Sequence, residues 1–110
     1  MYVVYVGAAF PAPGDANAMR RIGIDRIMWG SDYPHMEATS PHSRESLRRT
    51  FAGWKPDELR QVLSENAAKV YNFDLPKLAA LADAHGPTVD ELAEPITELP
   101  ESQSPAFSRP

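Results

Sequence analysis

Apolar positions come in short runs and helical spacings, and no one pattern continues for long. Tyr2 to Val6 is aromatic and β-branched with little polarity, which predicts a buried strand. Pro11, Pro13 and Gly14 end it in a loop. Asp15 is placed to cap a short helix through Ile22, and Gly23 suits a left-handed stop. Arg26-Ile-Met-Trp-Gly30 is a second apolar run, flanked by turn residues, and predicts a strand buried on both faces. Strand, helix, strand in this order predicts a βαβ unit with parallel strands and a right-handed crossover.

The pattern then turns helical. After a polar loop from Ser31 to Thr39, Ser40-Pro41 marks a helix start, and Leu47, Phe51 and Trp54 recur at i, i+4, i+7 up to a stop at Gly53. Lys55-Pro56-Asp57-Glu58 opens the next helix, with Leu59, Val62 and Leu63 inside, and acids in its first turn favoured by the helix dipole. Asn66 is placed to cap a further turn carrying Ala67, Val70 and Tyr71. Asp74-Leu-Pro-Lys starts a helix whose Leu75, Leu78, Ala79 and Ala82 are expected to face inward, with Gly86-Pro87 as its stop. Thr88 and Glu91 have capping-box spacing for one last helix, ended by Pro95. Residues 96–110, punctuated by Pro100, Pro105 and Pro110, read as an extended or disordered acidic tail.

The fold class is therefore α/β, two parallel strands followed by several helices. A two-stranded sheet is marginal on its own, and both strands read as interior ones. Flanking strands are missing from this inventory. Trp29 and Trp54 are expected in packing roles, Trp54 as a core or interface anchor.

Composition changes the picture in three ways. At 110 residues the chain holds one small domain. It has no cysteine, which removes disulfides, thiolate zinc sites and cysteine nucleophiles, and fits a reducing compartment such as the cytoplasm. The net charge of -4 lies wholly in the tail: residues 1–87 hold ten acids and ten bases, while Asp90, Glu91, Glu94, Glu98 and Glu101 face only Arg109. A neutral body with an acidic tail has no footprint for nucleic acid. Arg44, Arg48 and Arg49 read as a solvated helix face. No run of about 18 apolar residues exists to span a membrane, and Met1 to Phe10 lacks the basic start of a signal peptide.

Candidate chemistry sits after the second strand. Gly30-Ser31-Asp32 puts an acid where a parallel strand ends, the edge at which α/β proteins gather ligands and reacting groups. Tyr33-Pro34 holds the loop out of helix, His35 lies three residues past the acid, and Glu37 and His42 follow. The competing reading is a turn-forming Asp beside an ordinary loop histidine. One carboxylate and one histidine fall short of the three or four protein ligands of a zinc site. No phosphate-binding loop, nucleophile elbow or dinucleotide fingerprint occurs.

The segment Ile24-Asp-Arg-Ile-Met-Trp-Gly-Ser-Asp-Tyr-Pro-His35, with Ser64-Glu-Asn-Ala-Ala-Lys-Val-Tyr71 after it, resembles the C-terminal end of the amidohydrolase-related family. This is the branch of metal-dependent (β/α)8 barrels that includes aminocarboxymuconate-semialdehyde decarboxylase-like enzymes. The likeness runs from about Tyr2 to Gly86-Pro87 and is strongest at 23–35 and 64–73. It implies a C-terminal barrel fragment over residues 1–95, with Tyr2 to Val6 as the seventh strand and the second run as the eighth. It implies that Asp32 is a metal ligand and proton-transfer carboxylate, with His35 and Tyr33 lining the pocket. The implied cofactor is a divalent metal, zinc first and manganese second, and the implied substrate a small molecule. The family's histidine ligands lie on earlier strands that this chain lacks, and a whole barrel needs about 250 residues. The resemblance thus implies part of a metal-dependent hydrolase, inactive alone, from a truncated or mispredicted gene product. A related decarboxylase fragment is the near alternative. A non-enzymatic module that binds a partner or completes a barrel in trans is the distant one. Unpaired strand edges add an expectation of self-association.

Overall fold

A computed structural model of the chain describes residues 3–110. Strand β1 is Val6–Ala9, helix α1 is Pro13–Ile22, a single 3-10 turn covers Ile24–Arg26, and β2 is Ile27–Gly30. The strands pair in parallel, Val6 with Ile27 through Ala9 with Gly30, as a βαβ unit requires. Helix α1 starts on Pro13, and Asp15 sits in its first turn, where the carboxylate accepts the Ala12 N–H at 2.9 Å. Gly23 ends the helix at φ 111°, a conformation L side chains rarely adopt.

The first strand lies further along than the apolar run suggests. Its predicted span of Tyr2 to Val6 gives way to Val6–Ala9, and Met1 and Tyr2 fall outside the described residues. Pairing decides this: β2 offers four residues in register, and the Phe10 N–H adds a bond to the Gly30 carbonyl. Val3 and Val4 have no such partner and stay exposed. Nor is β2 buried on both faces. Ile27 is buried, but Met28, Trp29 and Gly30 are half-buried.

Helix α2 runs Ser43–Thr50, later than the Ser40-Pro41 start. Residues 39–42 close a turn first, with the His42 N–H on the Thr39 carbonyl and the Thr39 N–H on the Ser31 carbonyl. Helix α3, Pro56–Arg60, continues through a π-helical turn, Gln61–Glu65, into α4, Asn66–Tyr71. Asn66 is therefore no cap. Its side-chain amide donates to the Ile24 and Ile27 carbonyls at 2.7 and 2.8 Å, fastening the helix to the start of β2.

Met19, Ile27, Leu47, Phe51, Trp54, Leu59, Val62 and Leu92 form the core, with Val6, Ala8 and Trp29 packed against it. Trp54 meets Phe51 edge to face, with the Arg20 guanidinium 4.3 Å above its ring. Helices thus cover one face of the sheet. On the other, Gly7 and Ala9 are exposed.

The C-terminal third reverses two expectations. Helix α5, Leu75–His85, has its predicted cap, Asp74 accepting the Lys77 N–H at 3.1 Å, yet buries none of its residues. Helix α6, Val89–Ala93, follows with Thr88 capping at the Glu91 N–H. The tail, expected to be extended or disordered, forms a short helix α7, Pro105–Ser108, and buries Ser104, Ala106 and Phe107. The arginines expected on a solvated face hold this region. Arg44 bonds Glu91 and the His85 carbonyl, Arg48 the Glu94 and Pro95 carbonyls, and Arg49 the Ala106 and Arg109 carbonyls.

Candidate functional site

The loop after β2 is set by its own short bonds. The Ser31 carbonyl takes the Thr39 N–H, tying the two ends of the loop together at 3.0 Å, and the Ser31 hydroxyl accepts the Tyr33 N–H. Between these contacts Asp32 takes φ 64°, a left-handed conformation that Asp tolerates better than most side chains. The turn brings the His35 N–H onto the Asp32 carbonyl at 2.9 Å and His35 Nδ1 to 3.2 Å from Asp32 Oδ2. A carboxylate only accepts, so the imidazole Nδ1–H donates in this pair.

Glu37 joins the pair. One donor atom from each of Asp32, His35 and Glu37 lies within 4.8 Å of the others, with Asp32 half-buried and the other two exposed. Of the residues singled out in the sequence, Asp32, His35 and Glu37 are thus brought together. Tyr33, 74% exposed, is not among them. His42 turns away and packs edge-on to Phe107 at 6.5 Å.

Asp32 also touches a cavity of about 490 Å³ on the sheet face that the helices leave open. Gly7 and Ala9 of β1, Met28, Trp29 and Gly30 of β2, Tyr71 at the end of α4 and Phe73 beyond it supply most of its wall. Tyr33 and His35, expected to line the pocket, do not reach it. Among the described residues Asp32 is its only charged lining group, so one carboxylate faces a largely apolar surface. Small residues at Gly7 and Ala9 are what open this face, a signal present in the alternation along β1. Phe73 carries no such signal; it reaches the cavity because Asn72 reverses the chain at φ 58°. The Trp29 indole N–H is buried without a partner among the described residues.

Comparison with known proteins gives one likeness, at the level of the family. A family model described as amidohydrolase matches residues 6–73, well over half of the chain and a narrower span than the expected likeness from Tyr2 to Pro87. Comparison with curated proteins and with solved structures gives no match. Among the described residues no helix is long and apolar enough to cross a membrane.

Proposed function

The chain belongs to the amidohydrolase family, and from that premise we propose that it carries the Asp32 segment of a metal-dependent hydrolase. In this reading β1 and β2 are the last two strands of a (β/α)8 barrel, whose other strands lie outside these residues. One observation carries the proposal: Asp32 follows the C-terminal end of β2, inside the matched region, on the wall of the open-face cavity. That end of parallel strands is where barrel enzymes place their reacting groups. Helices on one face and an open second face also match the outside and the interior of such a barrel.

The donors present suit a divalent cation. Carboxylate oxygens and an imidazole nitrogen ligate zinc and manganese, and Asp32 with His35 and Glu37 offers two of the first kind and one of the second. Such an ion, when bound, supplies a water of lowered pKa. Asp32 accepts the proton that the attacking water loses and returns it to the leaving group. His35 holds that carboxylate in one orientation through its Nδ1–H, and the wall of Met28, Trp29, Tyr71 and Phe73 keeps bulk water from one side. Small-molecule substrates fit a cavity of this size. The family match supports a hydrolase-like fragment and lends nothing to the non-enzymatic reading.

Alone the site is incomplete. Two of its three donors are exposed on a loop, so binding must order them without a supporting shell. Weak zinc or manganese binding and no turnover are therefore expected of the isolated chain. Titration calorimetry on the wild type and on Asp32→Ala tests this. We expect weak binding that the substitution reduces by about tenfold or more. Equal heats from both proteins would remove Asp32 from the site, and tight one-to-one binding lost in Asp32→Ala would overturn the incomplete-barrel reading.

A further inference from the structure

Two aromatic rings are held at the mouth of the cavity by local backbone structure. Tyr71 ends α4, Asn72 turns the chain at φ 58°, and the Phe73 N–H then bonds the Ala68 carbonyl at 3.0 Å. This closure sets the Tyr71 and Phe73 rings side by side, with centroids 5.8 Å apart and planes 30° from parallel. Both residues line the cavity, yet they are 62% and 54% exposed. Trp29 lines the same cavity from β2. A ring face of this kind is covered by an apolar group or by a cation.

Charge decides between those two. Elsewhere the chain lays its own guanidinium groups on rings: Arg20 lies 4.3 Å from the Trp54 centroid, and Arg109 lies 6.0 Å from that of Phe10. Among the described residues no arginine or lysine does this for Trp29, Tyr71 or Phe73, and none lines the cavity. The charge on the wall is the Asp32 carboxylate, whose side-chain partner is the His35 imidazole. Electron-rich ring faces and one carboxylate, with no base among them, make a wall that favours positive charge. An anion is repelled there. A neutral apolar molecule gains burial alone, whereas an organic cation gains burial, the ring quadrupoles and the carboxylate together.

We infer that this cavity binds a small quaternary ammonium compound. Such a cation spreads its charge over methyl groups, so it sheds water onto an aromatic wall more readily than a compact, strongly hydrated ammonium does. About 490 Å³ leaves room for the head group and a short tail. The inference goes beyond the hydrolase reading and shares only Asp32 with it. A divalent ion held there would mask the carboxylate, so the two cations exclude one another. The rings stay partly in solvent, and affinity is accordingly low, with a dissociation constant of about 1 mM.

The test compares choline with neohexyl alcohol, the same shape with carbon in place of the charged nitrogen. Amide chemical shifts of the full chain follow each titration, with a chelator present to keep divalent ions off Asp32. Choline should move the amides of Gly7, Ala9 and Gly30 and bind at least about threefold more tightly than the alcohol. Phe73→Leu keeps an apolar side chain without the ring, and should weaken choline about fivefold while barely changing the alcohol. Asp32→Asn should weaken choline about threefold, and Asn tolerates the left-handed backbone at that position. Phe73 is mostly exposed, and the same spectra show directly that each variant is folded. Equal affinity for the two molecules would leave the cavity merely apolar and overturn the proposal. So would shifts confined to other surfaces, or none up to about 50 mM choline. Choline affinity unchanged in either variant overturns it as well. Because no free metal is present, failure here leaves the metal titration of Asp32 standing, and failure of that titration leaves this result standing.

Discussion

Helix α5 and the segment 104–110 exchange the places their hydropathy suggests. The helix carries Leu75, Leu78, Ala79 and Ala82 in helical spacing and is exposed along its length; the tail is proline-punctuated and acidic before it, yet buries Ser104, Ala106 and Phe107. Hydrogen bonds separate them. The tail finds donors on the body: Arg49 for the Ala106 and Arg109 carbonyls, and the Gly14 N–H for the Pro110 carbonyl. Arg109 answers with bonds to Asp15 and the Phe10 carbonyl. Gly14 makes this docking possible, since a Cβ there would lie 2.9 Å from the Pro110 carbonyl oxygen. Along its length α5 meets no such partners. Where a short segment settles depends on who satisfies its backbone as much as on how apolar it is.

The largest test of the contrast is Phe107→Ala. Removing a phenyl ring that is 7% exposed should cost about 3 kcal/mol, read by urea unfolding of the full chain. Leu78→Ala should cost less, about 0.5 kcal/mol, because its side chain is 42% exposed. Equal costs would break the comparison. Next is Asn66→Ala, which strips donors from two carbonyls at the root of β2 and should cost about 2 kcal/mol. Arg49→Ala follows at about 1 kcal/mol, since its bonds are partly exposed. Its particular signature is faster hydrogen exchange at residues 106–109 with the core amides unchanged.

Much of the fold was legible. The βαβ order, the cap at Asp74, the cap at Thr88 and the stop at Gly23 all rest on local chemistry that a few adjacent residues contain. What stayed hidden depends on distant partners. The shift of β1 to Val6–Ala9 follows from the register of β2, and the role of Asn66 from carbonyls some 40 residues away. Arg44, Arg48 and Arg49 read as solvated charge because their acceptors are mainly main-chain oxygens, which no side-chain pattern announces. At the site, Asp32 with His35 was legible from spacing, and Glu37 from proximity. The cavity wall from Phe73 was not, because it forms only when the chain folds back past Asn72.

The smallest expected effect sharpens the contrast at the end of α5. Arg44 bridges α2 to both Glu91 and the His85 carbonyl, so the ion pair helps anchor the end of an otherwise untethered helix. The hydrogen bond from Arg44 holds the Glu91 carboxyl below its usual range. A depressed acid contributes its stabilisation above the ordinary carboxylate range of roughly 4 to 4.5, and loses it as pH falls through the lowered value. Between pH 7 and pH 5 the helix end should therefore be unchanged, and acidification below that range should loosen it. The carbonyls that Arg49 grips in the tail do not titrate. Hydrogen exchange, corrected for its intrinsic pH dependence, should show residues 83–93 losing protection on acidification before residues 106–109 do. Glu91→Gln should show the loosened state already at pH 7 and no further change at this site on acidification. If the two segments open together in the wild type, the separate anchoring of α5 and the tail is wrong.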